Sequence, residues 1–347
     1  MAYGTVNADV IGTSVAGSNL GAGDASLLKN RIINGAMVID QRNAGASFTP
    51  TNGGYGLDRF FFALSQASKI TAQQNAGSVT PPVGFTNYLG ITSSSAYSIG
   101  SGDVFVVGQY IEGFNTADLQ WGTANAKTVT LSFWVYSSLT GTFGGSLQND
   151  NVNRSYPFSY TISSANTWTQ ISITIAGDTT GTWKTTNACG IAVGFGLGVG
   201  STKSGTAGSW AGANYSSATG ATSVVGTNGA TFYITGVQLE VGSSATGFEY
   251  VNYQTSLANC QRYYYTVPAL ATAAMIPVPY NNNYSNTWLN LQFPVKLRAA
   301  PTITSSNWNG GNPAATYAGT DWVSFNFSGG ATYYWAGTTT MSASAEL

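Results

Sequence analysis

From Lys29 onward the chain reads in short runs in which every second residue is apolar or aromatic. Val129, Leu131, Phe133 and Val135 alternate with Thr130, Ser132 and Trp134, and Ile171, Ile173 and Ile175 alternate with Ser172 and Thr174. A third run carries the same period of two from Thr231 through Tyr233, Thr235 and Val237 to Leu239. Successive side chains of a strand point to opposite faces, so this period, enriched in β-branched and aromatic residues, predicts half-buried strands. Turn formers punctuate the runs at Asn52-Gly53-Gly54, Asn149-Asp150-Asn151 and Ala176-Gly177-Asp178. Helical spacing is confined to one short stretch, Gln254–Tyr264. The expected fold is all-β: a jelly-roll β-sandwich followed by a smaller C-terminal β domain.

Three segments depart from simple alternation. Residues 1–28 are small and nearly featureless, too poor in large apolar groups to offset their own ordering, and are read as an arm. Between Cys189 and Gly200 large residues occupy Ile191, Val193, Phe195, Leu197 and Val199, while nearly every even position is Gly or Ala. An all-small face lets another backbone or a ring approach closely, and the spacing fits no phosphate loop. Residues 200–230 are low in complexity, with Trp210 and Tyr215 as landmarks, and predict a long surface loop. The composition changes again near Tyr253. The expected domains are therefore an arm at 1–28, a jelly roll at 29–252 and a C-terminal β domain at 253–347.

Charge narrows the function. Of 347 residues only 12 are basic and 13 acidic, 7% in all, and there is no histidine. Without imidazole there is no Ser-His-Asp triad, no Cys-His pair and no histidine metal site. A net charge of -1 offers no field for DNA, RNA or an anionic membrane, and no apolar run approaches the ~18 residues of a spanning helix. The start shows no basic stretch followed by an apolar one, so no signal peptide is expected. Aromatics make up 13%, which argues for a folded chain. A neutral polar surface favours association over free monomers. No cofactor, no metal and no enzymatic activity are expected.

The acids Asp40, Asp58, Glu240 and Glu249 sit near turns and suit caps or strand-end hydrogen bonds better than a glycosidase pair. Cys189 lies in an apolar strand pattern and reads as a small buried hydrophobe; spacing alone leaves open whether it pairs with Cys260. Aromatic density rises toward the end, at Trp288, Trp308, Trp322, Tyr333, Tyr334 and Trp335. Such rings fill cores and interfaces, or pack on the C–H faces of sugars while neighbouring amides bond hydroxyls.

Several stretches, in order, resemble one group. Asn30-Arg-Ile-Ile-Asn34-Gly35, then Gln41-Arg42, then Asp58-Arg59-Phe60 resemble the opening of jelly-roll domains in tailed-phage fibre proteins. Val237-Gln238-Leu239-Glu240 with Ala245-Thr246-Gly247-Phe248-Glu249 resembles their closing strand. Leu257-Ala-Asn-Cys260-Gln-Arg262-Tyr263-Tyr264 resembles the junction that follows. Arg298-Ala-Ala-Pro301 and the terminal Ala345-Glu346-Leu347 look like the usual C-terminal domain, and the first nine residues are similar to fibre N-termini of phages, including those of cyanobacteria.

The resemblance implies a virion structural protein, a homotrimer, on the phage tail or alternatively on the capsid. Residues 1–28, with Tyr3, Val6, Val10 and Ile11, would dock onto other virion proteins such as a tail hub, adaptor or nozzle. The C-terminal domain would trimerise or contact host polysaccharide or envelope protein, through Trp308, Trp322, Tyr334 and Trp335. The jelly roll also looks like carbohydrate-binding modules. Thr235-Gly236 stands where an acidic residue commonly precedes their closing strand, so no structural calcium is expected. The leading reading is a short tail fibre for adhesion; the alternative is a structural head decoration or head fibre protein.

Overall fold

The computed structural model describes residues 28–267, 286–306, 315–328 and 340–347. The chain divides between Val251 and Asn252 into two units. In the first, strands β1 (Phe60–Leu64), β2 (Ile70–Gln74), β3 (Leu89–Ser93), β4 (Val104–Glu112), β5 (Val129–Ser137) and β6 (Gly141–Gln148) are followed by β7 (Ser155–Ile162), β8 (Thr169–Ile175), β9 (Cys189–Val199), β10 (Ser204–Gly205), β11 (Ser217–Ala218) and β12 (Thr231–Val241). Two five-stranded sheets form, ordered β1-β4-β9-β6-β7 and β2-β3-β12-β5-β8, antiparallel throughout. They pack face to face as a jelly-roll sandwich, the fold class expected from the alternation.

The core lies between the sheets. Val129, Leu131, Phe133 and Val135 of β5 meet Ile191, Val193, Phe195 and Leu197 of β9 in one apolar cluster. Burying each such side chain contributes roughly 1.5–3 kcal/mol. On β12 the expected straight alternation is corrected. Phe232 and Ile234 face the core, then Val237 and Leu239, because the register slips between Thr235 and Gln238. Gly236, at φ 62, supplies the left-handed residue of that bulge and turns the strand's inward set by one position.

The small-residue face of β9 behaves as its pattern predicts. A Cβ on Gly196 would stand 2.8 Å from Ser217 Oγ and 3.0 Å from the Gly144 carbonyl. Residues 200–230 form the long, largely exposed loop the sequence predicts, and that close approach shows where the loop is anchored. Strands β10 and β11 of this segment pair in parallel and are buried, Val224 and Val225 enter the core, and Trp210 packs edge-on against Trp121 and Trp183. Low complexity there reflects small residues needed for fit against a glycine face.

The motifs of the opening and closing stretches prove to be one latch. Asn30 Oδ1 accepts from the Ile32 and Leu239 amides at 2.9 and 3.0 Å, and its Nδ2 donates to the Val237 carbonyl at 3.1 Å. Gly35 accepts from the Val237 amide at 3.0 Å, and a Cβ on Gly35 would lie 2.1 Å from the Val237 carbonyl oxygen. Asn34, at φ 61, holds Ile39 by both its amide and carbonyl and also donates to the Asp58 carbonyl. The opening segment thus closes onto the bulge of β12 by backbone contact that only these residues permit.

The second unit carries α1 (Tyr253–Gln261), where the sequence predicts a helix, capped by Asn252, whose side chain accepts from the Thr255 amide at 2.9 Å. Strands β13 (Tyr264–Val267), β14 (Asn286–Gln292), β15 (Thr302–Ser306), β16 (Ala315–Ala318), β17 (Trp322–Ser328) and β18 (Thr340–Ser344) follow. They form two three-stranded sheets, β13-β18-β15 and β14-β17-β16. Phe293, Leu297, Val323, Phe325, Met341 and Ala343 make a separate core. Arg298 donates from Nε to the Ala345 carbonyl and from Nη2 to the Glu346 carbonyl, while the Ala345 amide donates to the Tyr263 carbonyl. The junction, arginine-proline and C-terminal motifs therefore meet at one place.

Candidate functional site

The sheet β14-β17-β16 has two chemically distinct faces. Pairing sets Trp288 opposite Asn326, Asn290 opposite Ser324 and Gln292 opposite Trp322. Leu289, Leu291, Val323 and Phe325, the residues between, turn into the core. Trp288, Asn290 and Gln292 of β14 thus share the outer face with Trp322, Ser324 and Asn326 of β17. Tyr317 of β16 stands opposite Ser324 on that face.

Three large rings on this face remain exposed: Trp288 at 43%, Tyr317 at 61% and Trp322 at 42%. The rings of Trp288 and Tyr317 lean toward each other across the central strand, with centroids 6.0 Å apart and planes 25° from parallel. Beneath them Ser324 is buried, and its hydroxyl donates to Asn290 Oδ1 at 2.6 Å. Asn326 Oδ1 is buried, with no hydrogen-bond donor. The face therefore combines apolar ring surface with amides, a chemistry suited to a ligand bearing both C–H faces and hydroxyls.

Charge is scarce around it. From Asn252 to Leu347 the charged residues are Arg262, Lys296, Arg298, Asp321 and Glu346. Lys296 and Asp321 form an exposed ion pair at 3.7 Å, and Arg298 is engaged with the chain end.

Of the residues the sequence marks for host contact, Trp322 lies on this face; Trp308, Tyr334 and Trp335 lie outside the described residues, as do Tyr3, Val6, Val10 and Ile11 of the arm. Trp288 belongs to the aromatic-rich stretch but is not among the residues marked for contact, and Tyr317 is missed altogether. The signal was available: Trp288-Leu-Asn290-Leu-Gln292 and Trp322-Val-Ser324-Phe-Asn326 alternate polar or aromatic with aliphatic or Phe, so each presents one apolar and one hydrophilic edge.

The acids take structural places. Asp58 is buried and accepts from the Gln41 amide and side chain, each at 2.6 Å; Asp40 accepts from the amides of Asn43 and Gly45. Buried Glu240 accepts from Thr246 and Gln238, with Lys29 Nζ 3.9 Å away. Glu249 accepts from the Leu28 and Asn30 amides, fixing the first described residues to the sandwich. Cys189 and Cys260 are both buried and not joined in a disulfide, and burial pushes the Cys189 thiol up to about 12, away from thiolate chemistry. Among the described residues no group of His, Cys, Asp and Glu is placed to hold a metal ion.

No protein-family model matches the chain, and no curated protein matches it. Solved structures do. The enzymatically active domain of tailspike protein 4 of bacteriophage CBA120 aligns at 12% identity and a TM-score of 0.34, over 62% of this chain and only 22% of that one. A CBM4 carbohydrate-binding module aligns at 17% identity and 0.29, over 60% of this chain and 98% of the module. The family 11 module from Clostridium thermocellum, solved with a mixed-linked tetrasaccharide, aligns at 11% and 0.29, over 58% of this chain and 98% of its own. At these scores the likenesses add nothing to what the strand order already establishes.

Proposed function

We propose that this chain is an adhesion subunit of a phage virion, a short tail fibre anchored through residues 1–28. In this reading the jelly roll is a rigid spacer and the outer face of β14-β17-β16 touches saccharide on the host surface. The observation that carries it is the set of exposed rings, Trp288, Tyr317 and Trp322, on the hydrophilic face of a sheet whose opposite face packs Leu289, Leu291, Val323 and Phe325 against the core. The order of motifs along the chain supports the virion assignment.

Adhesion of this kind is binding without chemistry. Each face contributes weak ring and amide contacts, and trimeric assembly with many copies per particle multiplies them into avidity. Contacts of neutral groups are not screened by salt, which suits attachment in varied media. Asp58 and Glu240 are buried in hydrogen bonds to the chain's own groups, which accords with structural roles for these two acids.

The test is adsorption by particles carrying Trp288→Ala together with Tyr317→Ala. The proposal expects normal incorporation into particles and at least about tenfold slower adsorption, as for loss of a binding hot spot. Normal adsorption with weakened capsids would instead favour the head-decoration role, and release of sugar from host envelope material would reveal an enzyme.

A further inference from the structure

We infer that β8 is an interface between copies of this chain: its open edge pairs antiparallel with the β8 edge of a second copy, in a register centred on Ser172. This contact is independent of the aromatic face and of the adhesion reading. The two sheets of the sandwich have four edge strands, β1 and β7 in one, β2 and β8 in the other. Three of them are covered by the chain itself. On β1, the Phe62 amide donates to the Gly54 carbonyl at 2.8 Å and the Phe60 carbonyl accepts from the Gly56 amide at 2.9 Å. On β2, Ala72 exchanges both backbone bonds with Phe48, each at 2.9 Å. On β7, Ser155 does the same with Ala211 at 3.0 and 2.8 Å, and the Pro157 carbonyl accepts from the Gly208 amide.

The fourth edge is different. β8 pairs with β5 along its whole length, from Thr169 opposite Val135 to Ile175 opposite Val129. Among the described residues its other side makes no backbone hydrogen bond. A row of unpaired amides and carbonyls is a template for another strand, and proteins blunt such rows with charge, proline, a bulge or a covering segment. Thr169-Gln-Ile-Ser-Ile-Thr-Ile175 carries no charge and no proline, and its register runs without a bulge. The chain covers every other edge of the sandwich and leaves this one ready to pair.

The strand's own sequence identifies the occupant. In a two-fold pair about Ser172, Thr169 stands opposite Ile175, Gln170 opposite Thr174, Ile171 opposite Ile173, and Ser172 opposite its own copy. Gln170, Ser172 and Thr174 are exposed, so the outer face gains a row of hydroxyl and amide pairs. Ile171 and Ile173 are half-buried against the core, and on the inner face each covers the other's remaining exposed surface. This register pairs all seven residues; a pair centred on any other residue runs off one end of the strand. No charge on β8 meets its like, and two five-stranded sheets join into one of ten, a size that open twisted sheets reach. A two-fold contact has no place inside a three-fold ring, so in a trimeric fibre β8 would join chains of different trimers.

The experiment is the mass of the full chain by light scattering over a dilution series, alongside hydrogen exchange of the β8 amides. The parent is expected to hold an even number of copies. Ser172→Lys, which sets like charges face to face at the axis, is expected to halve that mass and to speed β8 exchange, whereas Ser172→Thr should keep both. The register is read by a matched couple. Gln170→Lys/Thr174→Glu places opposite charges across the pair and should hold the assembly, while Gln170→Lys/Thr174→Lys places like charges there and should halve its mass. Both lose the Thr174 hydroxyl bond to the Ser243 carbonyl, so that loss cancels between them. All three positions are exposed, and circular dichroism spectra matching the parent's show that the variants are folded. A parent mass equal to that of Ser172→Lys would overturn the inference, and slow β8 exchange at that same mass would make another segment of the chain the occupant. Dissociation of both double variants alike would overturn the register.

Discussion

Replacing Asn30 by Ala removes one side chain and orphans three backbone groups. The Ile32 and Leu239 amides lose their shared acceptor, and the Val237 carbonyl loses its donor. Each net hydrogen bond is worth about 1 kcal/mol, and a buried group left without a partner costs about 1–3 kcal/mol. Asn30 is only partly buried, so water re-enters for some of the three, and about 3 kcal/mol in total is the working figure. For a unit of this length each kcal/mol lowers Tm by roughly 2–4 °C, giving a fall of about 6–12 °C. The assay is urea and thermal unfolding followed by circular dichroism. An unchanged urea slope would show that the loss lies in native stability. Asn30→Asp should be no better at neutral pH, because its new charge would sit beside Glu249, which already accepts from the Asn30 amide. A Tm within about 2 °C of the parent would refute the latch, since it would mean that the opening segment and β12 do not share these bonds in solution.

Other consequences follow from the packing and the buried ionisable groups. Gly196→Val should push Ser217 and the Gly144 backbone away from β9 and open residues 200–230 to limited proteolysis; a digestion pattern like the parent's would contradict the covered-face assignment. Neither thiol should react with Ellman's reagent in the native chain, and two should react after denaturation, because Cys189 and Cys260 are buried and not joined in a disulfide. Stability should fall in alkali. Burial holds Cys189 up near 12 and raises Tyr110 and Tyr156, so the folded state keeps protons that the unfolded chain sheds. That contribution is intact below about pH 8.5, where free cysteine begins to ionise, and is lost from there upward through the folded values. Urea midpoints that stay level from neutrality to about pH 11 would contradict it.

Much of the architecture is legible in the chain because it rests on local period and on a few residues with no substitute. The alternation of Val129 to Val135 and the large-small pattern of Cys189 to Gly200 each announce a strand and which face it buries. Asn30, Asn34, Gly35 and Asp58 read as a family signature, and their bonds explain why: each serves a backbone group or a close approach that another side chain would fail. The flip of β12 was not legible, because Thr235-Gly236-Val237 continues the period and only the conformation of Gly236 reveals the bulge. Nor were the points at which 200–230 is buried, Ser217, Ala218, Val224 and Val225, since small residues signal a loop until the glycine face they cover is known. For the site, aromatic density pointed to the C-terminal unit and to Trp322. Pairing Trp288 with Tyr317 needed the register of three strands, which the sequence does not state.

In the proposed division of labour the signature residues hold the sandwich, and the neutral aromatic face of the C-terminal unit does the binding. One measurement addresses that division directly, the affinity of the full chain for a neutral polysaccharide it binds, taken alongside Tm, for Trp288→Ala/Tyr317→Ala and for Asn30→Ala. The expected result is at least about tenfold weaker binding with an unchanged Tm for the first, and a lowered Tm with unchanged affinity for the second. The reverse pattern, binding lost with Asn30 and kept without the rings, would contradict it and move the binding site to the jelly roll.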